Sequence, residues 1–538
     1  MAGPASAPGG ETPRRIWHPL FLGAAPVLLL FAHNRHELLA RELAVPLALA
    51  LAGVCGVWVA ARAALGAGRG ALFTSAATLA FFGFGHARAL VETALRIRFG
   101  VRENELLLGA VALVLAGLAV RLVRAPEPSP LVHLALDRAG AALVGSTLFM
   151  TLLTAGAGGP DAEPDPLRPR AAGSAPAGAP DIYWIVLDGF GRRDVLRDLY
   201  DFDSGPFLRA LEEQGFFVAE RARANYGQTL FSLASTLELD YLDALAARVG
   251  PDARDREPVI ETLQGSFLLR TLRERGYAIV AFETGYRGTE LRDADVHLVP
   301  EEPGLSEFQH AALDLTPLGM LADRAPELDG FERHRRRIRF VLRELPKLAR
   351  MPGPKFVFAH LIAPHPPFVF HADGSPAASG RGFRFQDGSH YLETSTREAY
   401  VEGYRGQAAF LAREVQRAIR ALLAAAPRPP VVIVQGDHGP GSRLDHDSLA
   451  GTDLRERMAI LWAIHLPGPP EPGLHAALSP VNGFRIVLNR IFGDGLPLLP
   501  DRSYFATWDA PYALTDVTEA LAEAEQRHAA GETPARRP

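Results

Sequence analysis

Two apolar segments of the sequence end in an acidic residue and a glycine. IYWIVL is followed by Asp188-Gly189, and VVIVQG is followed by Asp437-His438-Gly439. If both segments are parallel strands of one sheet, Asp188, Asp437 and His438 converge where the carboxyl ends of the strands lie. Two carboxylates and an imidazole form a ligand set suited to Zn²⁺, Mn²⁺ or Mg²⁺. The alternative is that these residues serve only the turns that follow the strands.

A third motif places a hydroxyl at the start of a predicted helix. The segment from Asn225 to Thr229 reads NYGQT, in which Asn225 is a candidate for contact with the substrate. The LFSLASTLEL that follows has leucines at helical spacing. Thr229 therefore falls at or next to the N-cap, where free N–H groups and the helix dipole favour a phosphate or sulfate. The same position stabilises a hydroxyl that loses its proton. The alternative is a threonine that only caps its helix.

Histidines and an arginine supply further candidates for binding an anionic substrate. His360 and His365 lie in and after the apolar segment KFVFAHLIAPHPPFVF. His446 and Arg443 lie in GPGSRLDHD, a few residues beyond His438. The alternative for the first pair is a packed His360 and an exposed His365.

The sequence from residue 181 to 538 predicts an α/β domain. Short apolar runs alternate with amphipathic stretches, which indicates a mostly parallel central sheet covered by helices on both faces. In such a sheet, ligands bind beyond the carboxyl ends of the strands. The predicted strands are residues 182–187, 277–283, 355–363, 431–435 and 459–466, and the clearest helices lie near 332–349 and 396–425.

Residues 1–155 predict a membrane domain of about five transmembrane helices. A helix of about 20 apolar residues spans the hydrocarbon core, and several segments reach or approach that length. Five spans that start from a cytoplasmic N-terminus place the α/β domain outside the cytoplasm. Residues 156–180 are rich in Pro, Gly and Ala and predict a linker. The predicted spans are residues 16–33, 43–61, 71–90, 105–123 and 139–155.

Composition excludes several classes of protein. The formal net charge of −5 argues against a generally basic nucleic-acid-binding protein. The single cysteine, Cys55, excludes an intramolecular disulfide framework and a CxxC metal site. We therefore expect no nucleic-acid partner and no metal site built from cysteines.

Together and in this order, the motifs resemble the alkaline phosphatase/sulfatase superfamily. The likeness is greatest to its membrane-anchored branch, which includes lipoteichoic acid synthases and phosphoethanolamine transferases. The resemblance implies an alkaline phosphatase-like catalytic domain behind a membrane region. It is carried by IVLDG (185–189), NYGQTLFSLAS (225–235), AHLIAPHPPF (359–368) and VVIVQGDHG (431–439).

The resemblance also implies roles for individual residues. Thr229 would be the covalent nucleophile, and His360 or His365 would contact the transferred group. True sulfatases use a C/S-x-P-x-R signature, which is absent around Thr229. They also carry paired acidic residues after the first strand, where this chain has Asp188 alone, so a single metal is expected. The implied ligands of that metal are Asp188, Thr229, Asp437 and His438.

These features predict a membrane-anchored, metal-dependent phosphotransferase or phosphodiesterase that acts on lipid or glycan head groups of the cell envelope. The expected location is the bacterial inner membrane, with the catalytic domain on the extracytoplasmic side. The alternatives are a hydrolase of soluble phosphate or sulfate esters and a catalytically inactive scaffold that binds envelope polymers.

Overall fold

The computed structural model describes residues 15–33, 40–95, 99, 101–155, 178–300, 307–321, 329–377 and 383–531. The chain divides into two compact units. One comprises residues 1–163 and 305–328, and the other comprises residues 164–304 and 329–538. Most of the predicted linker, residues 156–177, lies outside the described residues.

Helices form the first unit and surround the sheet of the second. The helices of the first unit are α1 (His18–His33), α2 (Ala40–Leu65), α3 (Ala67–Phe82), α4 (Phe84–Leu95), α5 (Val101–Arg124), α6 (Pro130–Ala155) and α13 (Glu307–Asp314). Those of the second are α7 (Arg193–Tyr200), α8 (Gly205–Glu212), α9 (Thr229–Glu238), α10 (Asp243–Val249), α11 (Glu257–Gln264), α12 (Phe267–Glu274), α14 (Gly330–Glu344), α15 (Gly388–Leu392), α16 (Arg397–Ala425), α17 (Leu454–Met458), α18 (Pro480–Phe492) and α19 (Thr518–Ala529). Short 3₁₀ helices span Arg287–Thr289, Pro317–Leu321 and Leu345–Arg350.

The helical unit carries fewer membrane-length helices than the sequence predicts. Among the described residues, Glu42–Leu65 and Arg102–Arg124 are long and apolar enough to cross a membrane, and His18–His33 is apolar but shorter. The five predicted spans are therefore not confirmed. The third, residues 71–90, covers parts of α3 and α4, which are separated at Gly83. Glycine is a poor helix former, which favours a break at this point.

A segment from the second half of the sequence belongs to the helical unit. Residues 307–321, in α13 and the following 3₁₀ helix, fall within this unit rather than with the sheet. Phe308 packs with Val27, Phe31 and Phe82 in a small apolar cluster. The sequence placed this segment in the α/β domain, because it lies between segments that form that domain.

The second unit is built on a seven-stranded sheet. The order across the sheet is β2-β7-β6-β1-β5-β3-β4. Pairing is parallel except where β7 meets β6 and β2. The predicted mostly parallel sheet is therefore confirmed. Its strands are β1 (Ile182–Leu187), β2 (Phe217–Val218), β3 (Ala278–Phe282), β4 (Val296–Leu298), β5 (Lys355–Leu361), β6 (Val431–Gln435) and β7 (Trp462–His465), and β8 (Tyr504–Phe505) pairs separately with β9 (Thr515–Asp516).

Both faces of this sheet are buried. Side chains that alternate along β1 enter two separate apolar cores, because successive residues of a strand point to opposite faces. Trp184 and Val186 belong to one core, and Tyr183, Ile185 and Leu187 belong to the other. The two-sided burial explains why β1 is apolar along its whole length.

Asn225 joins the chain before α9 to the C-terminal part of the domain. Its side-chain Oδ1 accepts a hydrogen bond from Val481 N at 2.8 Å, and its Nδ2 donates to Arg502 O at 2.9 Å. Its backbone oxygen accepts from Tyr504 N at 2.8 Å. Asn225 is completely buried, so these contacts use its amide for packing.

We expect Asn225→Ala to lower the stability of the domain. The substitution leaves the buried backbone N–H of Val481 without its partner, at a cost of about 1–3 kcal/mol, and it removes the hydrogen bond to Arg502 O. Asn489→Ala is the matched control, because within the described part of the chain the amide of Asn489 bonds only to nearby Leu496. Chemical denaturation followed by circular dichroism measures both. An Asn225→Ala protein that unfolds at the wild-type denaturant concentration would contradict this role.

Candidate active site

Asp188, Asp437 and His438 meet at the carboxyl edge of the sheet. Asp188 follows the last residue of β1, and Asp437 and His438 follow Gly436, the residue after β6. The two strands are adjacent and parallel, so their ends lie side by side. One ligand atom from each of the three side chains lies within 4.8 Å of the others, and all three residues are buried. The structure thus brings together the three residues that were predicted to converge from their positions after predicted strands.

The cluster has the charge and the free acceptor atoms that a cation needs. His438 Nε2 lies 3.5 Å from Asp188 Oδ1 and 3.3 Å from Asp437 Oδ2. These two carboxylate oxygens are buried and have no hydrogen-bond partner among the described residues. Buried carboxylate oxygens are normally paired or coordinate a metal. The residues present therefore fit a divalent cation.

The ring of His438 is oriented for coordination through Nε2. Its Nδ1 lies 2.9 Å from Gly439 O, a carbonyl that only accepts hydrogen bonds, so Nδ1 carries the proton. Nε2 then presents its lone pair to the two carboxylates. A hydrogen bond that fixes the second nitrogen in this way is typical of metal-bound histidines. On the other side, Asp437 Oδ1 accepts a hydrogen bond from Gly189 N at 3.0 Å.

Thr229 is the first residue of α9 and faces this cluster. Its Oγ1 lies 3.0 Å from His438 Nε2. The N-cap is Gln228, which makes no side-chain capping hydrogen bond, so Thr229 does not act as the cap of this helix. Ser232 is one turn further on, and its hydroxyl donates to Asp437 O at 2.6 Å. The hydroxyl of Thr229 therefore contacts a side chain of the three-residue cluster, whereas that of Ser232 contacts a backbone oxygen.

His360 contacts Asp188 from the neighbouring strand β5. Its Nε2 lies 3.1 Å from Asp188 Oδ2, and its Nδ1 lies 3.1 Å from Thr289 Oγ1. Both ring nitrogens are thus engaged, and the side chain is buried. These contacts favour a residue that orients Asp188, and they give no support to the prediction that His360 contacts substrate.

His365 remains near the cluster and has a partly accessible side chain. Its ring centroid lies 6.3 Å from that of His438, and its side chain is 11% exposed. Its backbone N–H donates to Asp188 O at 3.0 Å, which places it beside the end of β1. Of the two histidines in the motif, His365 is the one positioned to meet a ligand.

The other predicted substrate contacts are less favourably placed. His446 is buried, stacks on His390 with centroids 4.2 Å apart, and has its Nε2 3.0 Å from Asp387 O. Burial, followed by the charge of Arg457, lowers the pKa of His446 to about 4. The half-exposed Arg443 pairs with Asp453 at 3.5 Å. The amide of Asn225 is used in packing, so its predicted contact with substrate gains no support.

Sequence reasoning missed a buried ion pair behind the cluster. Asp387 Oδ2 lies 2.6 Å from Arg457 Nη1, and Asp387 Oδ1 accepts from Tyr400 OH at 2.5 Å. Burial opposes the charge of Asp387, but the positive charge of Arg457, with the imidazoles of His365 and His438 nearby, holds its pKa below the usual range. Asp387 follows no apolar strand, and Arg457 lies in an ordinary charged run, so the sequence offered no signal for either.

Tyrosines hold the loops that follow β1 and β6. Tyr404 of α16 donates from its hydroxyl to Gly189 O at 2.8 Å and accepts from Gly191 N at 3.1 Å. Tyr400, one turn earlier, accepts from Gly441 N at 2.9 Å. In the sequence, tyrosines at this spacing are typical of a packed helix face, so their polar role was not predictable.

Local charges favour an ionised Asp188 and a neutral His438. Burial alone would raise the pKa of Asp188, but the neighbouring imidazoles of His365, His360 and His438 lower it, and His360 also contributes a hydrogen bond. Burial, followed by the charge of Arg457, lowers the pKa of His438. A deprotonated carboxylate and a neutral imidazole are the forms that bind metals.

Comparisons with known proteins find similarity to solved structures alone. No family model and no curated protein matches the chain. The C-terminal periplasmic domain of EcEptC from Escherichia coli, in complex with Zn, is 14% identical, with 67% of this chain and 99% of that chain covered and a TM-score of 0.42. Lipooligosaccharide phosphoethanolamine transferase A from Neisseria meningitidis, an integral membrane protein, is 13% identical, with 83% and 88% covered and a TM-score of 0.35.

The phosphonate monoester hydrolase of Agrobacterium radiobacter is 15% identical, with 61% of this chain and 80% of that chain covered and a TM-score of 0.38. Other similar structures include the soluble domain of lipooligosaccharide phosphoethanolamine transferase A from Neisseria meningitidis and BT1596, a 2-O GAG sulfatase. At these identities and TM-scores, the likeness says nothing about the reaction of this chain.

Proposed function

We propose that this protein is a metal-dependent enzyme that transfers or hydrolyses a phosphate ester through Thr229. The observation that carries the proposal is the contact of the Thr229 hydroxyl with a buried cluster of two carboxylates and an imidazole. A nucleophilic hydroxyl beside unpartnered ligand atoms is an arrangement suited to metal-assisted displacement at phosphorus.

Four side chains would hold the metal. Asp188 Oδ1, Asp437 Oδ2 and His438 Nε2 point at one another, and Thr229 Oγ1 completes the set. A divalent cation held by these residues would lower the pKa of the Thr229 hydroxyl and would neutralise charge on phosphoryl oxygens. Oxygen and imidazole ligands suit Zn²⁺, Mn²⁺ or Mg²⁺.

The reaction proceeds in two displacements at phosphorus, and Thr229 is the nucleophile of the first and the leaving group of the second. In the first, a bond forms between Thr229 Oγ and phosphorus while the bond from phosphorus to the departing ester oxygen breaks. The hydroxyl proton is released to solvent, and the departing oxygen takes one up. In the second, an acceptor hydroxyl or water attacks phosphorus, and Thr229 leaves with a proton.

His365 is the residue we propose to contact the transferred group. It lies next to the cluster, it is partly accessible, and its Nε2 lies 4.0 Å from Asp387 Oδ2. His446 is a weaker proposal, because its Nε2 is engaged with a backbone oxygen. Phosphate esters are favoured over sulfate esters, since no C/S-x-P-x-R signature surrounds Thr229.

The proposed substrates are lipid or glycan head groups of the cell envelope. The helical unit supports this choice, because Glu42–Leu65 and Arg102–Arg124 have the length and hydropathy of membrane spans. We propose that the protein lies in the bacterial inner membrane as a multi-pass protein, with its α/β unit on the extracytoplasmic side.

Incubation of the full-length protein with radiolabelled phospholipid tests the substrate class. We expect release of diacylglycerol and a labelled head group on an acceptor or in solution. Turnover of a soluble aryl phosphate or aryl sulfate without lipid cleavage would instead show a hydrolase of soluble esters. No turnover of any of these by metal-loaded protein would indicate an inactive scaffold and contradict the proposal.

We expect Asp437→Asn and His438→Gln to remove bound metal. Asparagine keeps the size of Asp437 but removes its negative charge. Glutamine keeps the approximate size of His438 but removes the imidazole nitrogen that would bind the metal. His475→Gln is the control, because His475 is half-exposed and pairs with Asp501. Metal analysis of the purified proteins measures the effect. Full occupancy in either site variant would refute the ligand assignment.

We expect Thr229→Ala to abolish turnover with little loss of stability, because Thr229 makes no capping bond. Thr229→Ser keeps an attacking oxygen and should retain measurable activity. Mass spectrometry of the wild-type protein trapped with substrate should find a phosphorylated Thr229. A Thr229→Ala protein with wild-type turnover would rule out the covalent mechanism.

The proposed extracytoplasmic location of the α/β unit predicts how reporters fused after α19 will behave. A reporter that is active only outside the cytoplasm should be active there, and its cytoplasmic counterpart should be inactive. The opposite pair of results would place the α/β unit in the cytoplasm.

A further inference from the structure

The buried Arg457 of α17 connects the two loops that carry the proposed nucleophile and imidazole ligand. Its Nε donates to Gly227 O at 2.8 Å, two residues before Thr229. Its Nη1 donates to Gly439 O at 3.2 Å, in the residue that follows His438. Because the guanidinium is planar and rigid, these bonds fix one loop relative to the other.

The carbonyl of Gly439 transmits this contact to the imidazole. The same oxygen accepts a hydrogen bond from His438 Nδ1 at 2.9 Å, which sets the direction of the ring. In return, Gly439 N donates to Arg457 O at 2.7 Å. A side chain at Gly439 would collide with the backbone, since its Cβ would lie 2.0 Å from Glu456 O. The arginine segment and the imidazole loop are therefore in close backbone contact.

Asp387 fixes the guanidinium from the other side. Its Oδ2 lies 2.6 Å from Arg457 Nη1, and both side chains are buried. Its second oxygen accepts from the hydroxyl of Tyr400, in the long helix α16. A buried guanidinium needs such a counter-ion, because a buried and unpaired charge is strongly destabilising.

We propose that Arg457, held by Asp387, is a positioning residue that sets the separation of Thr229 Oγ1 from His438 Nε2. Through that separation it controls the affinity for the divalent metal and the reactivity of the hydroxyl. The inference rests on the proposed function, since it assigns a role to that separation.

The substitution Arg457→Lys tests whether the positive charge of Arg457 is sufficient or whether the planar shape of its guanidinium is needed. An ammonium group keeps the positive charge opposite Asp387, but it cannot reproduce the planar fork that reaches Gly227 and Gly439 together. Arg457→Lys should therefore fold, while the two loops lose their common support.

Arg455 provides a matched control in the same short helix. It is also buried, and its Nη2 pairs with Asp198 at 2.6 Å and with Asp194 at 3.2 Å. These partners lie in α7 rather than in the loops of the site. Arg455→Lys therefore perturbs a comparable ion pair without changing the support of Thr229 or His438.

The test measures Zn²⁺ binding by isothermal titration calorimetry on full-length protein in detergent, after chelation of resident metal. We expect Arg457→Lys to weaken Zn²⁺ affinity by about 10–100-fold, as is typical when support of a metal ligand is lost. Arg455→Lys should bind Zn²⁺ like the wild type. The melting temperatures of the metal-free variants should differ little from each other, which separates positioning from general loss of stability.

Asp387→Asn is the second variant, and it should also weaken Zn²⁺ affinity, because an amide binds the guanidinium less firmly than a carboxylate does. It decides the matter if Arg457→Lys fails to fold. Wild-type affinity in the folded variant, or an equal loss in Arg455→Lys, would overturn the positioning role while the proposed function stands. A wild-type protein that binds no Zn²⁺, Mn²⁺ or Mg²⁺ would overturn the proposed function, and the inference with it.

Discussion

The structure of the site depends on two buried carboxylates that face each other without enough hydrogen-bond donors. Asp188 and Asp437 each keep one buried oxygen without a partner among the described residues. Like charges in such a place repel, and their burial is costly unless a cation compensates them. The adjacent, parallel strands β1 and β6 impose this arrangement, because Asp188 follows β1 directly and Asp437 follows β6 after Gly436. The contacts of His360, His438 and Thr229 are arranged around this constraint.

Much of the domain supports this small cluster rather than touching it. Tyr404 binds the glycines after β1, Tyr400 binds the loop after β6, and both come from α16. Arg457 and Asp387 connect the nucleophile loop with the imidazole loop. Residues that fix ligands and hydroxyls before the substrate binds spare the site from reorganising during the reaction. Much of the rate enhancement of many enzymes originates in such preorganisation. The geometry of the site thus depends on these supporting residues as well as on the proposed ligands.

The sequence predicted the parts of the fold whose physical signal is local. The strands 182–187 and 431–435 were placed correctly, because a strand buried on both faces is mainly apolar and a glycine follows each within two residues. Asp387 and Arg457 were missed, because their meeting depends on chain segments 70 residues apart and on no local pattern. The placement of residues 307–321 with the helical unit was missed for the same reason, since local hydropathy does not tell which apolar core a short helix joins.

X-ray absorption spectroscopy of the Zn²⁺-loaded protein identifies the atoms that bind the metal. We expect one imidazole nitrogen, from His438, and oxygen atoms for all other ligands. Loss of the imidazole signal in the His438→Gln variant would assign that nitrogen. A site with two or more imidazoles, or with sulfur, would contradict the account, because the described cluster contains one histidine ligand and no thiolate.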